Sequence, residues 1–306
     1  MKILVATDKP FAKIAVDGIR KIVEGAGFEL ALLEKYTEKQ QLLDAVADAN
    51  AIIIRSDIID AEVLSAAKNL KIVVRAGAGY DNVDLAAATS AGVCVMNTPG
   101  QNANAVAELA LGMMVYGVRN MFNGTSGSEL FGKKLGIHAY GNVGRNVARI
   151  AKGFGMEIYA FDPFCPAEVI EKDGVKVLNS AEELYATCQF ISLHIPATAE
   201  TKNSINYALL SKMPKGAMLI NTARKEVINE AELVKLMEDR ADFKYMSDVM
   251  PANHAELSGK FAARYFSTPG KMGAQTAEAN INAGLAAANQ IVDFLKNGNE
   301  KFRVNK

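Results

Sequence analysis

The chain has 306 residues, half of them hydrophobic, with 34 Lys+Arg against 34 Asp+Glu. That length suits two domains with buried cores. Zero formal net charge excludes a general nucleic-acid or anionic-membrane surface, so any anion must be held by a few placed cations.

Short β-branched runs at residues 3–6, 30–33, 51–55, 72–75 and 93–95 alternate with stretches of helical spacing such as 14–23 and 41–47. Strand–helix alternation predicts an α/β fold with parallel sheets covered on both faces, and places ligands beyond the carboxyl ends of the strands. Residues 102–119 carry an apolar helical stripe (Val106, Leu109, Ala110, Met113, Tyr116), as expected of a helix crossing between domains. A second alternating unit has strand candidates at 135–139, 157–161, 190–195, 218–221, 245–247 and 265–268, six in all. A last helix repeats Ile281, Leu285, Ala288, Val292 and Leu295 and is expected to cross back. No apolar run approaches the ~20 residues of a membrane span. The opening MKILVATDKP reads as a strand and not as a signal peptide. Cys94, Cys165 and Cys188 lack metal-ligand spacing, which predicts free thiols in a reducing cytoplasm and no metal site.

The segment LGIHAYGNVGRNVARIAKGFG sets a strand before a Gly-rich turn and a helix. Ala139-Tyr-Gly141-Asn-Val-Gly144 is an A-x-G-x-x-G variant of the dinucleotide fingerprint. Gly141 lets the backbone approach a pyrophosphate, Gly144 lets helix and strand pack, and Asn142 and Val143 offer N–H groups at the helix start. Asp162 ends the next strand, where a carboxylate accepts ribose hydroxyls and repels a 2′-phosphate, so NAD is expected ahead of NADP. The plainer alternative is that Asp162 starts the Asp162-Pro163 turn.

Two longer strings, VRAGAGYDNVDLAAATSAGVCVMNTPGQNANAVAELALG (74–112) and SLHIPATAETKNSINYALLSKMPKGAMLINTARKEVINEAEL (192–233), resemble the signatures of the D-isomer-specific 2-hydroxyacid dehydrogenase family. The likeness runs from about residue 52 to 295. It implies two doubly wound parallel-sheet domains joined by crossing helices. These are a flavodoxin-like substrate domain (1–97 plus 280–306) and a Rossmann NAD-binding domain (98–279). IIIRS and IVVRAG look most like short 3-phosphoglycerate dehydrogenases. Arg55 and Arg75 each end a strand, and two guanidiniums there suit a phosphate, since planar forks bind oxyanions bidentately. The alternative is that one of them pairs with Asp57 or Asp81. Ser56, Ala76 and Gly77 complete the expected substrate edge, with backbone N–H groups of 76–79 offered to a carboxylate. Ala78, Ile195, Thr222, Ala223 and Asp248 are assigned to the coenzyme by the resemblance.

The resemblance places the carboxylate-binding cation at Arg224, in NTARK. It also implies a catalytic His, held by a Glu, in a T-P-H-x-G-G setting, and here the chain departs. STPGKMGAQT puts Lys271 at the His position with Gly270 extra, and Asn253 stands at the Glu position, with His254 and Glu256 as open alternatives. An unperturbed Lys titrates near ~10.4, and a neighbouring carboxylate would make it a worse acid–base group, so the two departures fit together. The expected activity is NAD-dependent oxidation of 3-phosphoglycerate, a phosphorylated 2-hydroxy acid, with Lys271 as the acid–base group. A glyoxylate or hydroxypyruvate reductase and a non-catalytic NADH-binding scaffold are the alternatives. A homodimer pairing around 102–127 is expected. The chain ends soon after its last helix, so no appended regulatory domain is expected.

Overall fold

The computed structural model describes residues 1–305, which form two compact units, Met1–Asn102 with the segment from Thr276 onward, and Ala103–Gln275. The first unit begins β1 (Lys2–Thr7), α1 (Lys13–Gly25), β2 (Glu29–Glu34), α2 (Lys39–Val46) and β3 (Ala51–Ile54). It continues with α3 (Ala61–Ala66), β4 (Ile72–Arg75), α4 (Leu85–Ser90) and β5 (Cys94–Asn97). The second holds α5 (Ala103–Val118), β6 (Lys134–His138), α6 (Asn142–Gly153), β7 (Glu157–Phe161), α7 (Ala167–Lys172), β8 (Lys176–Val177) and α8 (Ala181–Thr187). Then come β9 (Phe190–Leu193), α9 (Tyr207–Leu210), β10 (Met218–Asn221), α10 (Glu230–Asp239), β11 (Lys244–Ser247), α11 (His254–Phe261) and β12 (Tyr265–Ser267). The long helix α12 (Ala277–Asn297) returns to the first unit.

All strands pair in parallel, in the orders β2-β1-β3-β4-β5 and β12-β11-β10-β9-β6-β7-β8. Central strands of such sheets are covered on both faces, and β3, β9 and β10 are buried along their whole length, as is the edge strand β5. Burying each Ile of β3 contributes roughly 2 kcal/mol. In the first unit α12 lies close against α1: a Cβ on Gly18 would come within 2.5 Å of Leu285. In the second, α5 is apolar nearly all round and packs on α6, β10 and β11. The sequence reading of six strands in the second unit is corrected to seven. The extra one, β8, is two residues long and is held only by pairing with β7, so it carries no periodicity to read.

His138 ends β6 in the core, its Nδ1 3.2 Å from the Tyr185 hydroxyl. Burial pushes its imidazole down from the ordinary 6.5 to about 4, against a smaller opposing pull from Asp162. Above pH 6.5 the ring is neutral folded and unfolded alike and contributes nothing. As pH falls from 6.5 toward 4 the unfolded chain takes the proton first and stability is lost, by about 2 kcal/mol at pH 5. Urea unfolding of wild type and His138→Asn between pH 7 and 4.5 checks this: the variant should show the shallower loss.

Candidate active site

The second sheet gathers the predicted coenzyme residues other than Ala78 along its carboxyl edge, after β6, β7, β9, β10 and β11, with Lys271 after β12. The chain leaves β6 through Ala139, at a φ of 79°, the left-handed region that a family glycine would occupy without strain. Gly141 caps α6 with an extended backbone, and a Cβ there would meet nothing within 4 Å. Gly144 is the reverse case: a Cβ would lie 2.4 Å from the Ala139 carbonyl and 3.0 Å from Ile137. So one glycine keeps the space before the helix open and the other lets the helix sit on its strand. The first-turn N–H groups of Asn142 and Val143 have no acceptor among the described residues. That is what a phosphate needs at a helix N-terminus.

Asp162 forms the turn that the plainer reading of its position offered, and makes a second tie besides. Its Oδ1 accepts from the Phe164 and Cys165 N–H groups, forming the Asp-Pro turn, while Oδ2 accepts from the Tyr140 N–H at 2.7 Å, tying the glycine turn to β7. A carboxylate has about four acceptor sites, so capacity for a ribose hydroxyl is left. The residues present therefore fit a dinucleotide.

His194, after β9, is held between the Ser192 hydroxyl (2.9 Å) and the Thr222 hydroxyl (3.3 Å), and burial pushes it down to about 3. Thr222, Ala223 and Ile195 are each less than a tenth exposed. Arg224 follows on the turn after β10; its Nη1 donates to the Ala223 carbonyl, and among the described residues no carboxylate pairs with it. Asp248, at 1% exposure, closes β11. Its Oδ1 accepts from the Met272 N–H (2.7 Å) and the Thr268 hydroxyl (3.0 Å), and its Oδ2 from the Gly273 N–H (2.8 Å). Asp248 thus grips both sides of the loop whose exposed tip carries Lys271. Nothing in the sequence marks this second duty, because the partners are backbone groups more than twenty residues away.

The open alternatives for the family Glu resolve into other contacts. Asn253 donates to the Glu230 carbonyl, Glu256 pairs with Lys260, and the His254 ring lies between the Tyr265 and Ser258 hydroxyls.

In the first unit, Arg55 follows β3. Its guanidinium donates to the carbonyls of Lys9 and Pro10 and to Asn280, and stands 5.3 Å from the centre of the Phe11 ring. No carboxylate among the described residues forms an ion pair with it, although the charge of Asp8 and, more strongly, of Asp57 is felt there. That acid, 5% exposed, instead accepts from the Tyr36 hydroxyl and from the backbone of Asp8 and Arg55. Arg75 donates from Nε to the Arg55 carbonyl and lies over Gly77, where any Cβ would collide with it. Ser56 is exposed, its hydroxyl 3.5 Å from Asp8. The N–H groups of Ala76 and Gly77 already donate to Ile54 and Arg75 carbonyls, which leaves Ala78 and Gly79 as the segment's available donors. No cluster of metal ligands occurs among the described residues, and no helix there is long and apolar enough to cross a membrane.

A glycine turn opening a helix on a parallel sheet, with an acid ending the next strand, defines a dinucleotide-binding α/β protein. Residues 117–264 match the NAD binding domain of D-isomer specific 2-hydroxyacid dehydrogenases. The chain is 34% identical to the hydroxypyruvate reductase of Thermotoga maritima over 86% of its own length and 90% of that protein. It is 34% identical to the D-3-phosphoglycerate dehydrogenase of Methanocaldococcus jannaschii over 90% of its length. It spans about half the length of that relative, 55%. The crystal structure of cofactor (NAD+) bound 3-phosphoglycerate dehydrogenase from Entamoeba histolytica superposes with a TM-score of 0.89 at 50% identity, covering 100% of this chain and 99% of that one. The chain belongs to the D-isomer specific 2-hydroxyacid dehydrogenase family, and NAD is its coenzyme.

Proposed function

We propose that the protein oxidises 3-phosphoglycerate to 3-phosphohydroxypyruvate, the reaction that opens serine synthesis. The observation that carries this reading is Arg55, a half-buried guanidinium with no contact ion pair among the described residues, bonded instead to carbonyls and Asn280. A planar cation in that state recruits an oxyanion, and Arg75 lies beside it. The full-length likeness to a 3-phosphoglycerate dehydrogenase supports the same substrate. Arg55, Ser56, Arg75, Ala76 and Gly77 form the substrate edge of the first unit, with Arg55 and Arg75 binding the phosphate.

Arg224 holds the carboxylate and polarises the C2 oxygen; Lys271, as the neutral amine, takes the proton from the C2 hydroxyl. The coenzyme, when bound, supplies the acceptor for the hydride leaving C2. Gly141, Asn142, Val143 and Gly144 receive the pyrophosphate and Asp162 the adenosine ribose. Ala78, Ile195, Thr222, Ala223 and Asp248 border the nicotinamide half. The protein is read as a cytoplasmic homodimer.

The second reading is a hydroxypyruvate or glyoxylate reductase, favoured by the Thermotoga maritima relative. Coenzyme turnover followed with 3-phosphoglycerate, glycerate and lactate separates the readings. Turnover on 3-phosphoglycerate that falls at least tenfold in Arg55→Ala is expected, a loss in line with a charged hydrogen bond of about 1.5–3 kcal/mol. Turnover on glycerate alone overturns it in favour of the reductase. Tight NADH binding with no turnover overturns it in favour of a scaffold.

A further inference from the structure

We propose that Tyr245 is a positioning residue, its buried hydroxyl bracing the turn that carries Arg224 against the strand end that carries Asp248 and, through Asp248, the Lys271 loop. This rests on the reading that Arg224 and Lys271 perform the chemistry.

The brace is a directional chain of hydrogen bonds. Asn221, fully buried at the end of β10, accepts from the Ala223 N–H at 2.9 Å and donates to the Arg224 carbonyl at 3.1 Å. Its Nδ2 also donates to the Tyr245 hydroxyl at 3.4 Å. Tyr245, 1% exposed on β11, donates in turn to the Ser247 hydroxyl at 3.2 Å. Ser247, fully buried, donates to the Val249 carbonyl at 2.6 Å and accepts from the Val249 N–H. From the Ala223 N–H to the Val249 carbonyl each donor has an acceptor and the sense is the same, so the chain is satisfied as well as dry. In a low-dielectric interior such a chain holds geometry more firmly than isolated bonds do, because each link polarises the next.

The chain ends on both flanks of Asp248, whose side chain grips Thr268, Met272 and Gly273 around Lys271. The parallel register sets Asn221 beside Ser247, so that one tyrosine two residues earlier on the same face of β11 can reach both. β11 lies between β10 and β12, and Arg224 and Lys271 follow those two outer strands. A displacement of about 1 Å between reacting groups is enough to cost on the order of 100-fold in rate.

Tyr245→Phe keeps the ring stacked on Tyr265, 5.8 Å between centres, and removes only the hydroxyl. The expected result with 3-phosphoglycerate is a fall in kcat of roughly five- to tenfold, the weight of about one hydrogen bond. The KM for NAD should stay within about twofold of wild type. Ser247→Ala, which cuts the same chain, should reproduce that split. Tyr185→Phe, which removes a buried hydroxyl facing His138 outside the chain, should leave kcat unchanged.

Amide hydrogen exchange supplies a readout independent of turnover. The N–H groups of Ala223, Met272 and Gly273 should exchange faster in Tyr245→Phe and not in Tyr185→Phe. Unchanged kcat in an active Tyr245→Phe enzyme, or unchanged exchange at those amides, overturns the brace. Wild-type protein inactive on 3-phosphoglycerate overturns the functional reading instead, and exchange then decides the brace alone.

Discussion

Replacing Lys271 by alanine should lower kcat for 3-phosphoglycerate oxidation by 10²- to 10⁴-fold, the usual weight of a general base, while NADH affinity stays within about twofold. The physical ground is that oxidation removes a proton from the C2 hydroxyl, and neither Asn253, His254 nor Glu256 stands ready to take it, each being engaged elsewhere. Lys271→His should recover part of the loss, because imidazole also accepts a proton but lacks the reach of a four-carbon stem. Arg224→Ala should differ in kind, raising KM for the acid and lowering kcat together, since this cation binds the carboxylate and polarises the C2 oxygen. Steady-state kinetics on the three variants check the assignment. An alanine variant with near-unchanged turnover removes Lys271 from the mechanism.

The second large effect separates two glycines that look alike in the fingerprint. Gly141→Ala should leave the melting temperature unchanged and weaken NADH binding by at least about tenfold, because a Cβ there meets nothing in the protein within 4 Å and enters the space a pyrophosphate would occupy. Gly144→Ala should do the opposite first. Its Cβ, 2.4 Å from the Ala139 carbonyl, must push α6 off β6, at a cost of about 1–3 kcal/mol before any ligand is added. Ala139→Gly should raise stability slightly or leave it unchanged, unlike most Ala→Gly changes, because relief of the left-handed backbone offsets the added chain entropy. Thermal melts and NADH fluorescence titration on the three proteins test the set.

Much of this architecture is legible without coordinates. The strand–helix alternation, the glycine turn and Asp162 each announce themselves through local periodicity or spacing, and the two parallel sheets follow. What stays hidden depends on partners distant in the chain. β8 is defined only by the strand beside it. The grip of Asp248 on Met272 and Gly273, and the link from Asn221 through Tyr245 to Ser247, require the register of β10 on β11 and the path of a loop. Arg55 illustrates the middle ground. Its strand-end position is readable, but a neighbouring aspartate offered an equally good partner on paper, and only the fold shows that acid facing Tyr36 instead.

On the proposed role of Asp162, coenzyme preference in this protein is tied to backbone architecture. The acid that would turn away a 2′-phosphate is also the acceptor that holds the Tyr140 amide and two amides of the following turn. Engineering toward the phosphorylated coenzyme by swapping that acid for a cation would dismantle the cradle while re-aiming its charge. A workable evolutionary route passes through a neutral residue such as asparagine or serine, which keeps an oxygen for those amides, before any arginine is introduced nearby.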